Sequence, residues 1–251
     1  MTRYLLFVLP AAALLLTACD DELDTTDRRL GYDYANLTVG RTIVYRNDSI
    51  VYDPISAAQA VRDTTTSYVR ERLLDTIMDG AGETVYKLER AYSTSPTGPW
   101  TLTDVWTERL TEERYERTEE NIRQVKLAFP TRKDNDWNAT RYLDESLVVT
   151  VEGETLQMYK GWRNMRYLQV DTTLTVNGLT FEDGTIVELI PAPEGQENAI
   201  EDRYLQERYA RGIGLIYREL RILDTQVIDP RPFEERALKG FILRQSIVSY
   251  Q

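Results

Sequence analysis

The strongest indication of the fold is the segment Leu174-Thr175-Val176-Asn177-Gly178-Leu179-Thr180-Phe181. Apolar and polar residues alternate on both sides of Asn177-Gly178, and this period of two is typical of a strand with one buried face. Asn-Gly supplies the two positive φ angles that a two-residue hairpin turn requires. The segment therefore predicts an antiparallel β-hairpin.

Other parts of the chain carry the same kind of pattern. Runs of β-branched and aromatic residues suit a pleated, half-buried surface. Two pairs of runs flank glycine-containing turns and predict hairpins, residues 67–78 with 84–92 and 147–151 with 155–159. Further strands are predicted at residues 42–45, 49–52, 121–129, 213–223 and 241–250.

Two segments differ from this pattern. Residues 197–211 carry apolar side chains at near-helical spacing and are followed by Gly212, which favours one helix with a glycine at its end. The densely charged residues 108–120 leave a helix and an exposed strand pair open. The predicted fold is mainly β, a single antiparallel curved sheet or half-open barrel-like domain with one helix at residues 197–211.

The composition excludes several classes of function. The 251 residues contain 30 basic and 41 acidic residues, one cysteine and no histidine, with a net charge of −11. Without histidine there is no Ser-His-Asp triad, and a single cysteine makes neither an internal disulfide nor a multi-thiolate metal site. The acidic balance argues against a nucleic-acid partner, because such affinity comes mainly from neutralising phosphates.

The N-terminal residues predict where the protein is located in the cell. Arg3 precedes an uncharged, apolar stretch over residues 4–16, which is shorter than the ~20 residues of a membrane-spanning helix. It ends in Leu16-Thr17-Ala18-Cys19, which resembles the lipobox of bacterial lipoproteins. The resemblance implies that residues 1–18 are a signal peptide, and that Cys19 becomes the lipid-modified first residue of the mature protein.

Four of the five residues after Cys19 are acidic. This run is similar to the acidic export signal of Bacteroidota lipoproteins, which implies a membrane-anchored envelope protein in the outer membrane, with exposure at the cell surface left open. In enteric bacteria, an aspartate directly after the cysteine, here Asp20, would instead imply retention in the inner membrane, and this alternative stays open. The same charges predict a solvated, extended tether over residues 19–30, and both interpretations hold together. Residues 31–251 are then expected to form one β-rich domain.

Several phrases in the chain resemble those of uncharacterised Bacteroidota lipoproteins. They include Gly40 to Asp53, Lys126 to Pro130 followed by Trp137-Asn138, Tyr209 to Gly214, and Lys239-Gly240. The resemblance implies a curved antiparallel sheet with little helix. It names no catalytic residue.

One constellation matches a metal-binding spacing. Asp134, Asp136, Asn138 and Glu145 occupy positions 1, 3, 5 and 12 of an EF-hand calcium loop, and Ca²⁺ prefers such oxygen ligands. Ala139 stands at position 6, where that loop turns on glycine. The alternative is a polar loop between strands. Apart from this calcium site, we expect no cofactor.

The function predicted from these observations is a non-enzymatic binding or interaction module, held to the membrane through Cys19, with an envelope protein or ligand of unknown identity as partner. The four tryptophans and sixteen tyrosines could form stacking platforms for sugar rings or line the concave face of a curved sheet, and ordinary β-sheet packing is the alternative. The alternatives are a carrier or sensor of an apolar ligand inside a half-open barrel, and a carboxylate-based hydrolase. The tryptophans considered for stacking are Trp100, Trp106, Trp137 and Trp162.

Overall fold

The computed structural model describes residues 28, 30–151 and 153–251, and strands make up most of them. A short 3-10 helix, Tyr32–Tyr34, precedes the first strand, and one helical turn, α1 (Phe233–Arg236), precedes the last. The strands are β1 (Thr42–Ser56), β2 (Gln59–Met78), β3 (Thr84–Ser93), β4 (Thr101–Leu110), β5 (Arg114–Glu119), β6 (Ile122–Ala128), β7 (Asp136–Trp137), β8 (Val148–Val151), β9 (Glu154–Gln157), β10 (Met165–Val176), β11 (Leu179–Leu189), β12 (Glu201–Ala210), β13 (Gly214–Asp224) and β14 (Lys239–Tyr250).

Twelve of the strands form one antiparallel sheet in the order β6-β5-β4-β3-β2-β1-β14-β13-β12-β11-β10-β7. Strands β8 and β9 form a separate two-stranded hairpin. Sequential strands are therefore neighbours almost throughout, as expected for strands joined by short hairpin turns. Two pairings join strands that are not consecutive, β10 with β7 and β1 with β14, and the second brings the N-terminal and C-terminal halves together in the middle of the sheet.

The sheet curls until its two edge strands meet. At this seam the Val125 backbone N–H of β6 donates to the Ala139 carbonyl at 3.0 Å, and the Trp137 indole N–H donates to the Val125 carbonyl at 3.0 Å. The Tyr167 hydroxyl of β10 donates to the Ala128 carbonyl at 2.7 Å. These bonds confirm the predicted curved, barrel-like antiparallel sheet, and they bring it close to closure.

The predicted hairpins are confirmed. Val176 pairs with Leu179 across Asn177 and Gly178, whose φ angles are 50° and 81°, as the Asn-Gly turn requires. Met78 pairs with Thr84 at the end of the β2–β3 hairpin. The two runs predicted at residues 42–45 and 49–52 form one continuous strand, β1.

The helix predicted at residues 197–211 is wrong, because this region forms strand β12. Leu205 pairs with Leu220 of β13, and every second residue from Leu205 to Tyr209 is buried. Glu207 is the buried residue between Leu205 and Tyr209. Because it is charged, the alternation of apolar and polar residues that predicts a strand is not visible in the sequence here. Gly212 follows in a turn with φ 69° and ends no helix.

The charged segment at residues 108–120 is the strand pair β4–β5, one of the two alternatives, but it is not exposed. Glu108 is 1% exposed, Tyr115 3% and Arg117 3%. The sequence hid this outcome because charged side chains are rarely fully buried unless they are paired. The closest ion-pair partners of Glu108 and Arg117 are Arg41 and Glu71, which lie 67 and 46 residues earlier in the chain.

The phrase Lys239-Gly240 marks a close approach of backbones. Gly240 has a φ of +117°, and a Cβ atom there would lie 2.0 Å from the Ile222 carbonyl oxygen of β13. Only glycine fits this position, since it has no side chain and tolerates positive φ. The register of β14 against β13 depends on it.

The N-terminal part of the described chain enters one end of the barrel. Tyr34 is fully buried, and its ring lies beneath the Arg211 guanidinium at 4.3 Å. Arg211 also pairs with Asp33 at 2.5 Å, and the Gly212 N–H donates to the Asp33 carbonyl at 2.9 Å. We call this the entry end, and we call the opposite end, where β12 begins at Glu201, the far end.

The expected signal peptide and most of the tether lie outside the described residues, so the predicted domain boundaries stay predictions. In the part of the chain that the structure describes, no helix is long and apolar enough to cross a membrane.

Candidate functional site

The middle of the barrel is filled by charged side chains, which we call the interior network. Its members come from seven strands and from the residue preceding β1. All nine side chains are less than a fifth exposed, and each forms an ion pair with at least one other member. Neighbouring apolar side chains on the same strands complete the barrel filling. The network consists of Arg41, Glu71, Arg90, Glu108, Arg117, Glu119, Lys126, Glu207 and Arg218.

One half of the network is organised by Glu71. Its Oε1 lies 2.5 Å from Arg117 Nη2 and 3.1 Å from Arg90 Nε. Beside it, Arg41 Nη2 lies 2.9 Å from Glu108 Oε2. Each of these carboxylates therefore has a guanidinium partner inside the barrel, which is the condition for burying charge without a large penalty.

The other half is organised by Arg218. Its Nε lies 2.7 Å from Glu207 Oε1, and its Nη2 lies 2.9 Å from Glu119 Oε1. Lys126 Nζ lies 3.1 Å from the same Glu207 oxygen. Arg117 Nε, 3.4 Å from Glu119 Oε1, joins the two halves.

The interior carboxylates are held in the ionised state. Burial alone would raise the pKa of Glu71, Glu119 and Glu207, but the neighbouring cations outweigh burial and lower all three pKa values. Burial, together with Arg218, lowers the pKa of the Lys126 ammonium. A general acid needs a pKa raised towards neutrality, so these carboxylates are suited to structure and not to acid catalysis.

Aromatic side chains close the network. The Tyr115 hydroxyl donates to Glu108 at 2.7 Å, and the Tyr209 hydroxyl donates to Glu207 at 2.6 Å. The Trp106 ring lies 3.7 Å from the Arg90 guanidinium and 4.9 Å from that of Arg117. The interior is thus occupied by the protein's own side chains.

A surface groove of about 750 Å³ lies at the far end, which we call the far-end groove. Its floor is the outer face of β11, β12 and β13, contributed by Glu188, Asp202, Tyr204 and Arg221. One wall is the loop that follows β11, and the other begins at Pro232 and continues through α1. Prolines at both rims fit irregular walls, because they donate to no ladder.

Two aromatic rings and two arginines dominate the groove. The Arg221 guanidinium lies 4.3 Å from the Tyr204 ring centroid, and the Arg236 guanidinium lies 4.3 Å from that of Phe233. Arg221 also joins two carboxylates, with Nε 3.1 Å from Asp202 Oδ2 and Nη1 3.4 Å from Glu234 Oε1. In this solvent-exposed groove, each aromatic ring therefore lies next to an arginine guanidinium.

Asp202 behaves differently from the interior glutamates. Burial raises its pKa, and the negative charge of Glu234 adds to the increase, while Arg221 opposes both. The groove therefore contains a carboxyl group that holds its proton more readily than an exposed aspartate does.

The charges of the groove cancel. Five basic and five acidic residues line it. Lys160 pairs with Glu201 at 2.8 Å, and Glu188 pairs with Arg166 at 2.7 Å. Electrostatic selection of a strongly charged ligand is therefore weak here.

The four predicted calcium ligands do not converge in the described structure. Asp134 lies in a turn with φ 63°, Asp136 is on β7, and Asn138 Oδ1 accepts a hydrogen bond from the Thr140 N–H at 2.9 Å. Glu145 is exposed. Within the described residues, no group of three or more acidic, cysteine or histidine side chains is arranged to hold a metal ion. The calcium site stays a prediction from spacing.

The tryptophans do not form a sugar platform. Trp106, Trp137 and Trp162 are 7%, 8% and 9% exposed and pack in the core. Trp100 is half-buried, with the Arg70 guanidinium 5.2 Å from its ring. The β-packing alternative is correct for the three buried rings. Cys19, the predicted lipidation site, lies outside the described residues.

The sequence analysis predicted neither the interior network nor the far-end groove, although the interior network left a signal in the sequence. Glu71 shares a strand face with Val69 and Leu73, and this break in the alternation marks a charge that points into the core. No sequence pattern marked Tyr204 and Arg221 as part of a site, because the two residues come together only when residues 201–210 are predicted as a strand and not as a helix.

Comparisons with known proteins give little more. No protein-family profile matches this chain, and no curated protein sequence matches it. A crystal structure of a Bacteroides fragilis protein with a YmcC-like fold is similar, at 10% identity and a TM-score of 0.36, over 84% of this chain and 97% of that one.

Proposed function

We propose that this protein is a lipid-anchored envelope protein that binds its ligand, without transforming it, in the far-end groove. The acyl group on Cys19 holds it to the membrane, by our proposal the outer membrane. The observation that carries the proposal is the position of the groove at the end of the barrel opposite the point where the chain enters.

The distance between the two ends supports this arrangement. Strand β12 runs from the groove, at Tyr204, to Ala210, which is followed directly by Arg211 at the entry end. The seven residue steps from Tyr204 to Arg211, at ~3.3 Å each, place the groove about 23 Å from the entry end. A tether that leaves from the entry end therefore directs the groove away from the membrane.

The charged interior argues against a carrier of apolar molecules inside the barrel. An apolar ligand there would separate ion pairs such as Arg218 with Glu207 and offer them no replacement partner. The far-end groove, lined by Tyr204 and Phe233, is open to solvent and needs no such rearrangement.

The anchor is tested by mass spectrometry and membrane fractionation of the native protein. We expect cleavage before Cys19 and a lipid mass on its sulfur, and we expect the Cys19→Ser variant to move to the soluble fraction. Thr25→Ala, a matched change in the tether, should leave the protein in the membrane. An uncleaved leader or an unmodified sulfur in native material would overturn the anchor.

Binding in the groove is tested by hydrogen–deuterium exchange of the purified full chain, with and without a soluble extract of the envelope. We expect slower exchange in residues 190–204 and 232–236, and no such change in Tyr204→Ala. Protection confined to the entry end, for example at residues 79–82, would place the ligand elsewhere and contradict the proposal.

A further inference from the structure

We infer that the far-end groove recognises a neutral oligosaccharide. This inference rests on the proposed function and specifies the class of its ligand. It follows from four properties of the groove. These are its two aromatic rings, its equal numbers of acidic and basic residues, its planar guanidinium and carboxylate groups, and floor strands that are already hydrogen-bonded on both sides.

The rings supply apolar contact to a ligand. Tyr204 and Phe233 are half-buried, so part of each ring reaches the groove. The carbon-bound hydrogens of a sugar ring form an apolar face that packs on an aromatic face. The two rings lie on different sides of the groove, with Tyr204 on the floor strand β12 and Phe233 in the α1 wall.

The charged groups supply hydrogen bonds without net charge. Arg221 already pairs with both Asp202 and Glu234, so its charge is not free to favour an anionic ligand, and the five basic and five acidic residues of the lining balance. A carboxylate has two oxygens with about four acceptor sites, and a guanidinium has five donors in one plane. Pairs of neighbouring hydroxyl groups fit such two-pronged partners.

The backbone of the groove does not suit an extended peptide. Strands β11, β12 and β13 each have a hydrogen-bonded neighbour on both sides. Peptide recognition by strand addition needs a free sheet edge, and the floor offers none. The cancelled charge also gives no preference for an acidic or a basic peptide.

The test is a binding screen on the detergent-solubilised full-length protein, in a detergent without a sugar head group. The probes are neutral oligosaccharides of four to eight units (gluco-, manno-, xylo- and N-acetylglucosamine series), acidic oligosaccharides, and neutral peptides. We expect binding of at least one neutral series, measured by titration calorimetry. Tyr204→Ala and Phe233→Ala should each weaken it about tenfold or more.

Tyr217→Ala is the matched control. Tyr217 is a half-buried tyrosine on the outer face of β13, with the Arg208 guanidinium 4.6 Å from its ring, but it lies outside the groove. This variant should bind as tightly as the parent protein. Thermal melts of all three variants show whether a loss of binding reflects unfolding.

Four outcomes would overturn the inference. Binding of no neutral oligosaccharide would refute it, and so would equal losses in the Tyr204 and Tyr217 variants. Binding of peptides alone, lost in Tyr204→Ala, would refute the ligand class but leave the proposed function standing. Release of reducing ends from a bound oligosaccharide, abolished by Asp202→Asn, would replace binding by hydrolysis and refute the proposed function.

Discussion

The interior network and the far-end groove use the same arrangement in two environments. In the interior, Arg117 lies over Trp106 and joins Glu71 and Glu119. In the groove, Arg221 lies over Tyr204 and joins Asp202 and Glu234. The Arg117 side chain is 3% exposed and that of Arg221 is 26%. The comparison teaches that burial, and not the set of residues, separates a structural cluster from a candidate binding site.

The carboxyl groups respond to this difference in opposite directions. Several cations surround Glu71 and Glu119 and lower their pKa values against the effect of burial. Asp202 is partly buried, has Glu234 close by, and has a raised pKa. The interior therefore keeps its charges fixed, while the groove holds a carboxyl group that binds its proton more readily than an exposed aspartate does.

The largest expected effect is on an interior cation. Arg218→Met removes the nearest cation of both Glu119 and Glu207 and leaves only Arg117 and Lys126 beside these two buried carboxylates, so we expect a loss of about 3–5 kcal/mol in the free energy of unfolding. Urea denaturation measures this loss. Arg46→Met, which removes an exposed pair with Asp48, should leave the midpoint unchanged. A loss below about 1 kcal/mol for Arg218→Met would contradict a structural interior.

The second-largest expected effect is a loss of folding stability at acidic pH. The pKa values of Glu71, Glu119 and Glu207 are lower in the folded state than in the unfolded chain, so these groups stabilise the fold above the unfolded-state pKa of about 4.3. That contribution disappears as the pH falls through the folded-state pKa values. We expect a loss of about 1–3 kcal/mol between pH 5 and pH 3. Urea denaturation at several pH values measures it, and stability that increases on acidification would be the opposite of this expectation.

The groove arginine should matter less to stability. Arg221→Met removes ion pairs that are partly exposed, and we expect a change of about 1 kcal/mol or less in the free energy of unfolding. It is the direct counterpart of Arg218→Met, because both replace an arginine that joins two carboxylates. Equal losses in the two variants would abolish the distinction between the regions.

The smallest expected effect concerns calcium. The spacing of Asp134, Asp136 and Glu145 predicts a site, but the loop must rearrange to assemble it, so we expect a Kd no tighter than about 0.1–1 mM. Titration calorimetry should detect heat that Asp136→Ala removes. With no heat in the parent protein, the spacing would be a coincidence.

Local patterns predicted most of the sheet, because hairpin turns and the alternation of apolar and polar residues can be recognised within short segments of the sequence. Asn177-Gly178 specified its hairpin, and the glycine turn after Met78 specified another. The strand at Glu201–Ala210 was misread because Glu207 stands where an apolar residue is expected. Its partner, Arg218, lies on the next strand, and the other partner, Lys126, is 81 residues away.

The candidate groove could not be predicted for a similar reason. Tyr204 and Arg221 come together through strand pairing, and Phe233 joins them through a loop with no strand pattern. No spacing in the sequence relates the three. The four tryptophans drew attention because of their type, but three of them are needed in the core.

Hydroxyl-radical footprinting with mass spectrometry tests most directly whether the barrel is sealed and the groove open. Tyr204 and Phe233 should be oxidised readily, although more slowly than the exposed Tyr250. Tyr115 and Tyr209, at 3% and 2% exposure, should remain protected. Oxidation of Tyr115 and Tyr209 as fast as that of Tyr204 would mean that solvent enters the barrel, and would contradict the separation of a structural interior from a binding surface.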